Sequence, residues 1–546
     1  MLRDFFRTLR SYTLFEAVAS LLLIVIFFWS FSQILGGGSS ADDTYTEGAV
    51  GKILVLNPLY ANFNEVDRDI TQLIFSGLMR YDSRQGAMVD DLAKVTMSED
   101  QMLYTFVIKP GVTFHTGKTL TADDVYFTYH DIIQSEEFSN SVLRANFSGV
   151  AITKKDAKTV QFQLDQPNSF FITNLSVGIL SRDYYGDIPV GDLLLDEINK
   201  KPVGSGPYRV NDEYVASSRG EGKLSLIRYD DFYGGLPVLK HLVFRTYSSV
   251  DRLISSSSEF DAVGKISGDG AKRLADEGFA IHPYQLPQFK AAFFNTSRPF
   301  IKERSVRLAL LKSVQKDELL KQLPDTTPVD TPFMELAQDQ WVNKPDVKEA
   351  QGALFDAGYR YPDPKNPGIR AKKGVPLRLT LVYFEKSDAG KTVSEDSLTA
   401  QFLKNSWDAI GIGLDIKVYP PDQRSEMVSK RDYDILLAGE SLGYDLDTYF
   451  FWHSTQATEL GSNLSNYRNF SADALIEDIR RYFDEARKSK RLTQLAGIVQ
   501  GDIPALFLYR PVYYYASQGL FDGYALDKLA FPADRFFNIQ LWKPVK

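Results

Sequence analysis

Residues 377–440 decide the fold: "LRLTLVYF" (377–384), a helical segment at 394–410, "GLDIKVYP" (413–420), a second helical segment at 424–430, and "YDILLAGE" (433–440). The three quoted runs are short and rich in branched and aromatic side chains, as strands are, whereas the segments between them repeat their apolar residues at helical spacing. Strand, helix, strand, helix, strand in that order predicts a parallel sheet, because a crossover is what returns the chain to run in the same direction. Ligands of such sheets sit at the carboxyl ends of the strands, where backbone groups are free. The segment at 440–447 lies at such an end and is the first place to look for a site.

Toward the N-terminus, "YTFVIKPGVTF" (104–114) alternates, turns at Pro110 and Gly111 and resumes, which reads as a hairpin. "TADDVYFTYHDII" (121–133) starts with Thr121 as N-cap and Asp123 and Asp124 in the first turn, so it is a capped helix and not a metal motif. Strand and helix patterns alternate without a fixed repeat, which excludes a solenoid or propeller and leaves an α/β or α+β class. The chain has 546 residues. Single cores stop growing near ~250–300 residues, so the body should divide into two or three lobes.

Net charge is −8 and spread along the chain, which argues against a nucleic-acid partner. The basic run at 480–491, "RRYFDEARKSKR", interleaves acids at helical spacing and reads as a solvated helix face. With no cysteine there is no disulfide, thiolate metal site or lipid-modified N-terminal Cys. Aromatic residues make up 13% of the chain, enough to line a cleft as well as fill a core.

Arg3, Arg7 and Arg10 precede "AVASLLLIVIFFWSFSQIL" (17–35), a 19-residue apolar run long enough to span a bilayer with its basic end inside. Cleavable signals carry a shorter apolar region of ~7–15 residues, so an uncleaved single-pass anchor is the reading. Cleavage after Ala41, with small Ser39 and Ala41, is the rival, and both export the body. "GGGSSADD" (36–43) then serves as a flexible tether.

Three chemical lures fail on their partners. Gly439-Glu440-Ser441-Leu442-Gly443 fits a G-x-S-x-G nucleophile elbow after a strand, but the only later histidine is His453, too near for an acid-bearing segment to intervene. The five histidines are scattered and form no H-x-x-x-H pair, so no metal is expected. Gly204-Ser205-Gly206-Pro207 is a tight turn before the strand "YRV" and not a nucleotide loop.

Seven ordered segments together resemble family 5 extracellular solute-binding proteins, the peptide-binding components of ATP-binding cassette importers. They are "LNPLYANFNEVDRDITQLIFSGLMRYD" (56–82), "YTFVIKPGVTFHTGKTLTADDVYFTY" (104–129), "PVGSGPYRV" (202–210), "FFNTSRPFIKERSVRLALLKSVQKDELL" (293–320), "EAQGALFDAGY" (349–359), "GYDLDTYFFWHS" (443–454) and the long stretch at 473–509. The resemblance implies an α/β, bilobal, periplasmic-binding-protein-like fold of class II type, with an extra subdomain, closing on ligand by a hinge and performing no catalysis. It also implies no cofactor. Family ligands are mainly oligopeptides and dipeptides, with some members taking nickel, haem, opines or sugars.

The expected division is a tail, transmembrane anchor and linker at 1–46; lobe I at 47–81, 201–287 and 512–546; an inserted subdomain at 82–200; and lobe II at 288–511. Peptide-binding members place an Asp after a Trp, in a W-x-x-D-x-x-D-P-like stretch, to receive the ligand's ammonium. Here Asp447 and Thr448 fall on the D-P place, Ser441 on the Trp and Tyr444 on the ammonium-binding Asp, with Asp445 one residue away as a substitute. The implied ligand-binding set is therefore Glu440, Ser441, Gly443, Tyr444, Asp445 and Asp447, together with Tyr60, Asn62 and Phe63 of the family's cleft-lining opening. Expected partners are a peptide or peptide-like solute, the importer's permease subunits and the cytoplasmic membrane, with the body facing outward as a monomer. An outward-facing sensory or scaffold protein on the same fold is the alternative, and a Ser441 hydrolase is the remote one.

Overall fold

The computed structural model of the chain describes residues 43–545 other than 218–220, 366, 386–393, 445 and 460. At 377–440 Arg378–Phe384 runs parallel to Gly413–Tyr419 on one side and to Ile435–Ser441 on the other. The helices Glu395–Asp408 and Arg424–Lys430 supply the crossovers. Ile435 and Leu437 face a layer holding Leu403 and Trp407, while Leu436 and Ala438 face Phe293 and Trp452. Both faces are covered, which is why the strand is apolar without alternation from Ile435 to Ala438. The sheet then continues in the other sense: Gln288–Phe294 pairs antiparallel with Ile435–Ser441, followed by Ala505–Pro511 and Thr326–Pro328.

A second sheet of seven strands has Thr44–Val50 at its centre, parallel to both His241–Tyr247 and Ala262–Ile266. This strand starts at Thr44, inside the stretch expected to be linker. The reason is local: Thr44, Tyr45 and Thr46 ladder with His241, Leu242 and Val243, and the Tyr45 ring is held edge-on by Phe521 and Trp542 at 5.3 and 5.4 Å. A fully enclosed Arg535 guanidinium pairs with Glu47 and, at 2.6 Å, with Asp69, tying the C-terminal segment to the opening strand and to the helix Glu65–Ile74. Losing one partner of such a buried set strands the others uncompensated, at a cost of ~3–5 kcal/mol.

A third sheet is four-stranded and antiparallel. Its strand Leu103–Ile108 is flanked by Ala93–Met97 and by Thr159–Gln163. Neither edge is open to residues 112–114, so the expected hairpin does not form. The turn itself exists, with Gly111 at φ 78°, but beyond it Thr113 bridges Thr119. Thr121 does cap the next helix, its N–H donating to Asp124 at 2.9 Å; the helix Ala122–Tyr126 then widens into a π turn over Phe127–Ile133. Phe106 and Phe162 of this sheet share one apolar core with Leu73 and Leu224 of the seven-stranded layer.

The chain crosses between the two large sheets at 285–287 and again at 512. Arg510 Nε donates to the Leu286 carbonyl at 2.6 Å and Gln288 Nε2 to the Tyr513 hydroxyl at 2.7 Å, so the crossings lie side by side. The basic run at 480–491 is not one helix face. Phe470–Arg481 ends there, and Glu485–Asp502 begins afresh with Asp484 as N-cap, accepting from the Arg487 N–H at 2.8 Å. Among the described residues no helix is long and apolar enough to cross a membrane. The run at 17–35, expected to do so, lies outside them.

Candidate ligand cleft

A cavity of about 1140 Å³ is lined by residues from around the two large sheets and the four-stranded layer. One wall is the helix Glu65–Ile74 with Met79, Arg80 and Tyr81; the opposite wall is the loop that leaves Ile435–Ser441, backed by the helix Phe470–Arg481. Segments at 141–150 and 164–178 and residues 531–540 complete the lining.

The loop after the strand is conformationally constrained. Gly443 sits at φ 75° and Leu446, a residue with a Cβ, at φ 55°. Left-handed backbone at a branched residue costs of the order of 1 kcal/mol and persists only where surroundings impose it. The surroundings here are two anchors. Tyr444 reaches across the cleft: its hydroxyl donates to Asp534 Oδ1 at 3.0 Å, and its ring lies 4.8 Å from Tyr81 and edge-on to Phe531 at 4.9 Å. Asp447 accepts the Tyr449 N–H at 3.0 Å, starting the short helix Tyr449–Trp452, and pairs with Arg480 Nε at 3.2 Å. The Arg480 guanidinium also stacks on the Tyr449 ring, 4.3 Å from its centroid.

Burial sets the electrostatics of this region. Asp534 is completely enclosed, and its Oδ2 accepts the Ala530 and Phe531 N–H groups at 2.9 and 2.7 Å. Desolvation nevertheless outweighs those bonds and pushes the carboxyl up to about 7. Burial, reinforced by the neighbouring Asp534, holds the Tyr444 hydroxyl well above the usual phenol range. Asp91, which takes the Tyr233 hydroxyl at 2.6 Å, is likewise raised by burial.

Of the residues picked from sequence, Asn62, Ser441, Gly443, Tyr444 and Asp447 line the cavity. Tyr60 does not; it is buried against Phe138 with ring centroids 5.5 Å apart. Glu440 points the other way, on the strand face shared with Leu436 and Ala438, where burial pushes its carboxyl well up. A strand alternates its side chains, so Ser441 and Glu440 cannot both face the cleft. Asp445 and the Phe63 side chain lie outside the described residues. No hydrogen bond joins Ser441 to His453 among the described residues; Thr455 N–H donates to His453 Nδ1 at 3.2 Å, and Nε2 faces Glu477 at 3.5 Å.

Sequence reasoning missed Arg480, assigned to a solvated face, and Phe531 and Asp534, assigned no role. The signal for Arg480 was present: Asp484-Glu485 is an N-cap followed by a first-turn acid, which marks a new helix and puts Arg480 at the end of the previous one.

A cleft of this size between two sheets joined by paired crossings has room to enclose a solute. Residues 87–462 match the family described as "Bacterial extracellular solute-binding proteins, family 5 Middle", and the chain belongs to it. Its members are solute-binding proteins. The chain is 26% identical over 513 residues to the oligopeptide-binding protein AppA of Bacillus subtilis (strain 168), covering 91% of this chain and 90% of that one. The structure of Bacillus subtilis AppA in complex with a nonapeptide superposes with a TM-score of 0.74 at 23% identity, over 92% of this chain and 99% of that one. NikZ from Campylobacter jejuni in complex with Ni(L-His) gives a TM-score of 0.74 at 22% identity, over 92% and 99%.

Proposed function

We propose that this chain is an extracytoplasmic receptor that encloses a peptide or peptide-like solute in the cleft and hands it to the permease subunits of an ATP-binding cassette importer. The observation that carries this reading is the cavity: about 1140 Å³ exceeds the ~300–1,000 Å³ typical of drug-sized ligands and suits several residues of extended chain. The nonapeptide in the AppA structure supports the same ligand class. Binding, and not catalysis, is the proposed activity. Asp445 is the proposed partner of a ligand cation, because the neighbouring Asp447 is engaged by Arg480.

Closure would be a hinge motion of lobe I (47–81, 201–287 and 512–546) and its insertion (82–200) against lobe II (288–511). The two laced crossings at 285–287 and 512 favour this, since few residues would absorb the rotation. The apolar run at 17–35 would hold the receptor, a monomer, on the outer face of the cytoplasmic membrane.

Native mass spectrometry of protein purified without refolding tests the function. Adducts whose masses fragment as peptides are expected. Protein that carries no such adduct, and that fails to bind any member of a mixed peptide pool, would exclude the peptide reading.

A further inference from the structure

Four arginines, and no lysine or histidine, are the basic residues lining the cleft among the described residues: Arg68, Arg80, Arg480 and Arg481. Three have an acid partner on the cleft wall. Arg80 Nε lies 3.8 Å from Asp91, Arg480 Nε 3.2 Å from Asp447, and Arg481 3.3 Å from Glu477. Arg68 has none within ion-pair distance among the described residues. Among the described residues its side chain donates to the neutral Asn62 Oδ1 at 2.9 Å, on the accessible side, and its guanidinium carbon lies over the Phe531 ring, 3.9 Å from the centroid. Asp534, a buried acid whose charge Arg68 influences, is already engaged on both oxygens by Tyr444, Ala530 and Phe531.

A guanidinium so placed is oriented before any ligand arrives. Phe531 backs it and Asn62 takes one N–H, so further N–H groups of the fork remain as a donor edge at the cavity that Arg68 lines. The group that matches such an edge is a planar carboxylate, which accepts two parallel N–H bonds. We infer that Arg68 is a specificity-determining residue that receives a carboxylate of the bound ligand. The inference deepens the proposed peptide binding and rests on it. The carboxylate has two sources in a peptide, the C-terminus and an Asp or Glu side chain.

Calorimetric titration of three probes separates them: Ala-Leu-Phe-Ala-Leu as free acid, the same peptide as C-terminal amide, and the amide with Glu in place of Phe. Each is run on wild type, Arg68→Gln and Arg68→Lys. A preference for one carboxylate-bearing probe of roughly ten- to a hundredfold over the plain amide is expected in wild type, the size of one charge-assisted pair. It should vanish in Arg68→Gln and return in part in Arg68→Lys. Preference for the free acid identifies the C-terminus, and preference for the Glu amide identifies a side chain. Equal affinity for all three probes in wild type, or an undiminished preference in both folded variants, overturns the assignment while leaving peptide binding intact. Absence of binding to every probe by wild type overturns the peptide reading and the assignment together.

Discussion

Replacing Asp534 by Asn should remove a pH dependence of stability that the wild-type protein carries. The carboxyl is wholly enclosed and pushed up to about 7 from an ordinary value of 3.8, with burial the largest cause. Between about pH 4 and 7 the folded protein therefore holds a proton that the unfolded chain has released. Stability changes with pH in proportion to protons bound unfolded minus protons bound folded, which is negative in this window, so the contribution falls as pH rises and is level above 7. About three decades of proton affinity at ~1.4 kcal/mol each set a ceiling of ~4 kcal/mol. The Asn amide can keep the geometry without titrating. Its oxygen accepts the Ala530 and Phe531 N–H groups, and its NH2 turns to the Tyr444 hydroxyl, which has lone pairs to accept it. Urea unfolding of both proteins from pH 4.5 to 8 is the assay. Because every other group titrates alike in the two, the difference between the curves isolates this carboxyl: wild type should lose ground steadily relative to Asp534→Asn until about pH 7. Parallel curves across that range would refute the burial argument.

Three other outcomes follow from the cleft. Arg480→Ala removes both an ion-pair partner of the nearly enclosed Asp447 and the cation stacked on Tyr449, and should cost roughly 1–3 kcal/mol by urea unfolding, with part of the loss recovered by adding Asp447→Asn. Asp445→Asn should weaken an amine-bearing peptide by about ten- to a hundredfold but leave its N-acetylated form and the ligand-free melting temperature unchanged; equal affinities throughout, read by calorimetry, remove Asp445 from the site. Intact-mass measurement should find the chain starting upstream of the apolar run, and a mature protein beginning near Asp42 would replace the anchor with a cleaved signal.

The parallel unit at 377–440 was legible because period and length carry the information locally: a strand covered on both faces is apolar without alternation, as Ile435 to Ala438 is. What Gln288–Phe294 pairs with was not legible. The hairpin expected at 104–114 failed for the same reason: the turn residues are real, but both edges of Leu103–Ile108 are taken by strands that only the whole sheet supplies. The site divides along this line. The segment at 440–447 could be found from its place at a strand end, and four of its six sequence-picked residues line the cavity. The partners that give those residues their roles, Arg480 and Asp534, come from other segments and sat in stretches with ordinary surface-helix or turn composition.

Those partners change what the loop can do. Tyr444, which the family resemblance led one to expect in the place of an ammonium-binding acid, has its hydroxyl committed to Asp534 on the far wall and its ring to Tyr81 and Phe531. The contact joins the end of the six-stranded sheet to the segment packed on the seven-stranded one, so it favours approach of the two walls whether or not a ligand is present. A ligand gains closure energy only from contacts that the latch does not already make. Recognition must then fall on groups that the walls leave open, and with Asp447, Arg80, Arg480 and Arg481 each paired, Arg68 is the cation in a position to discriminate.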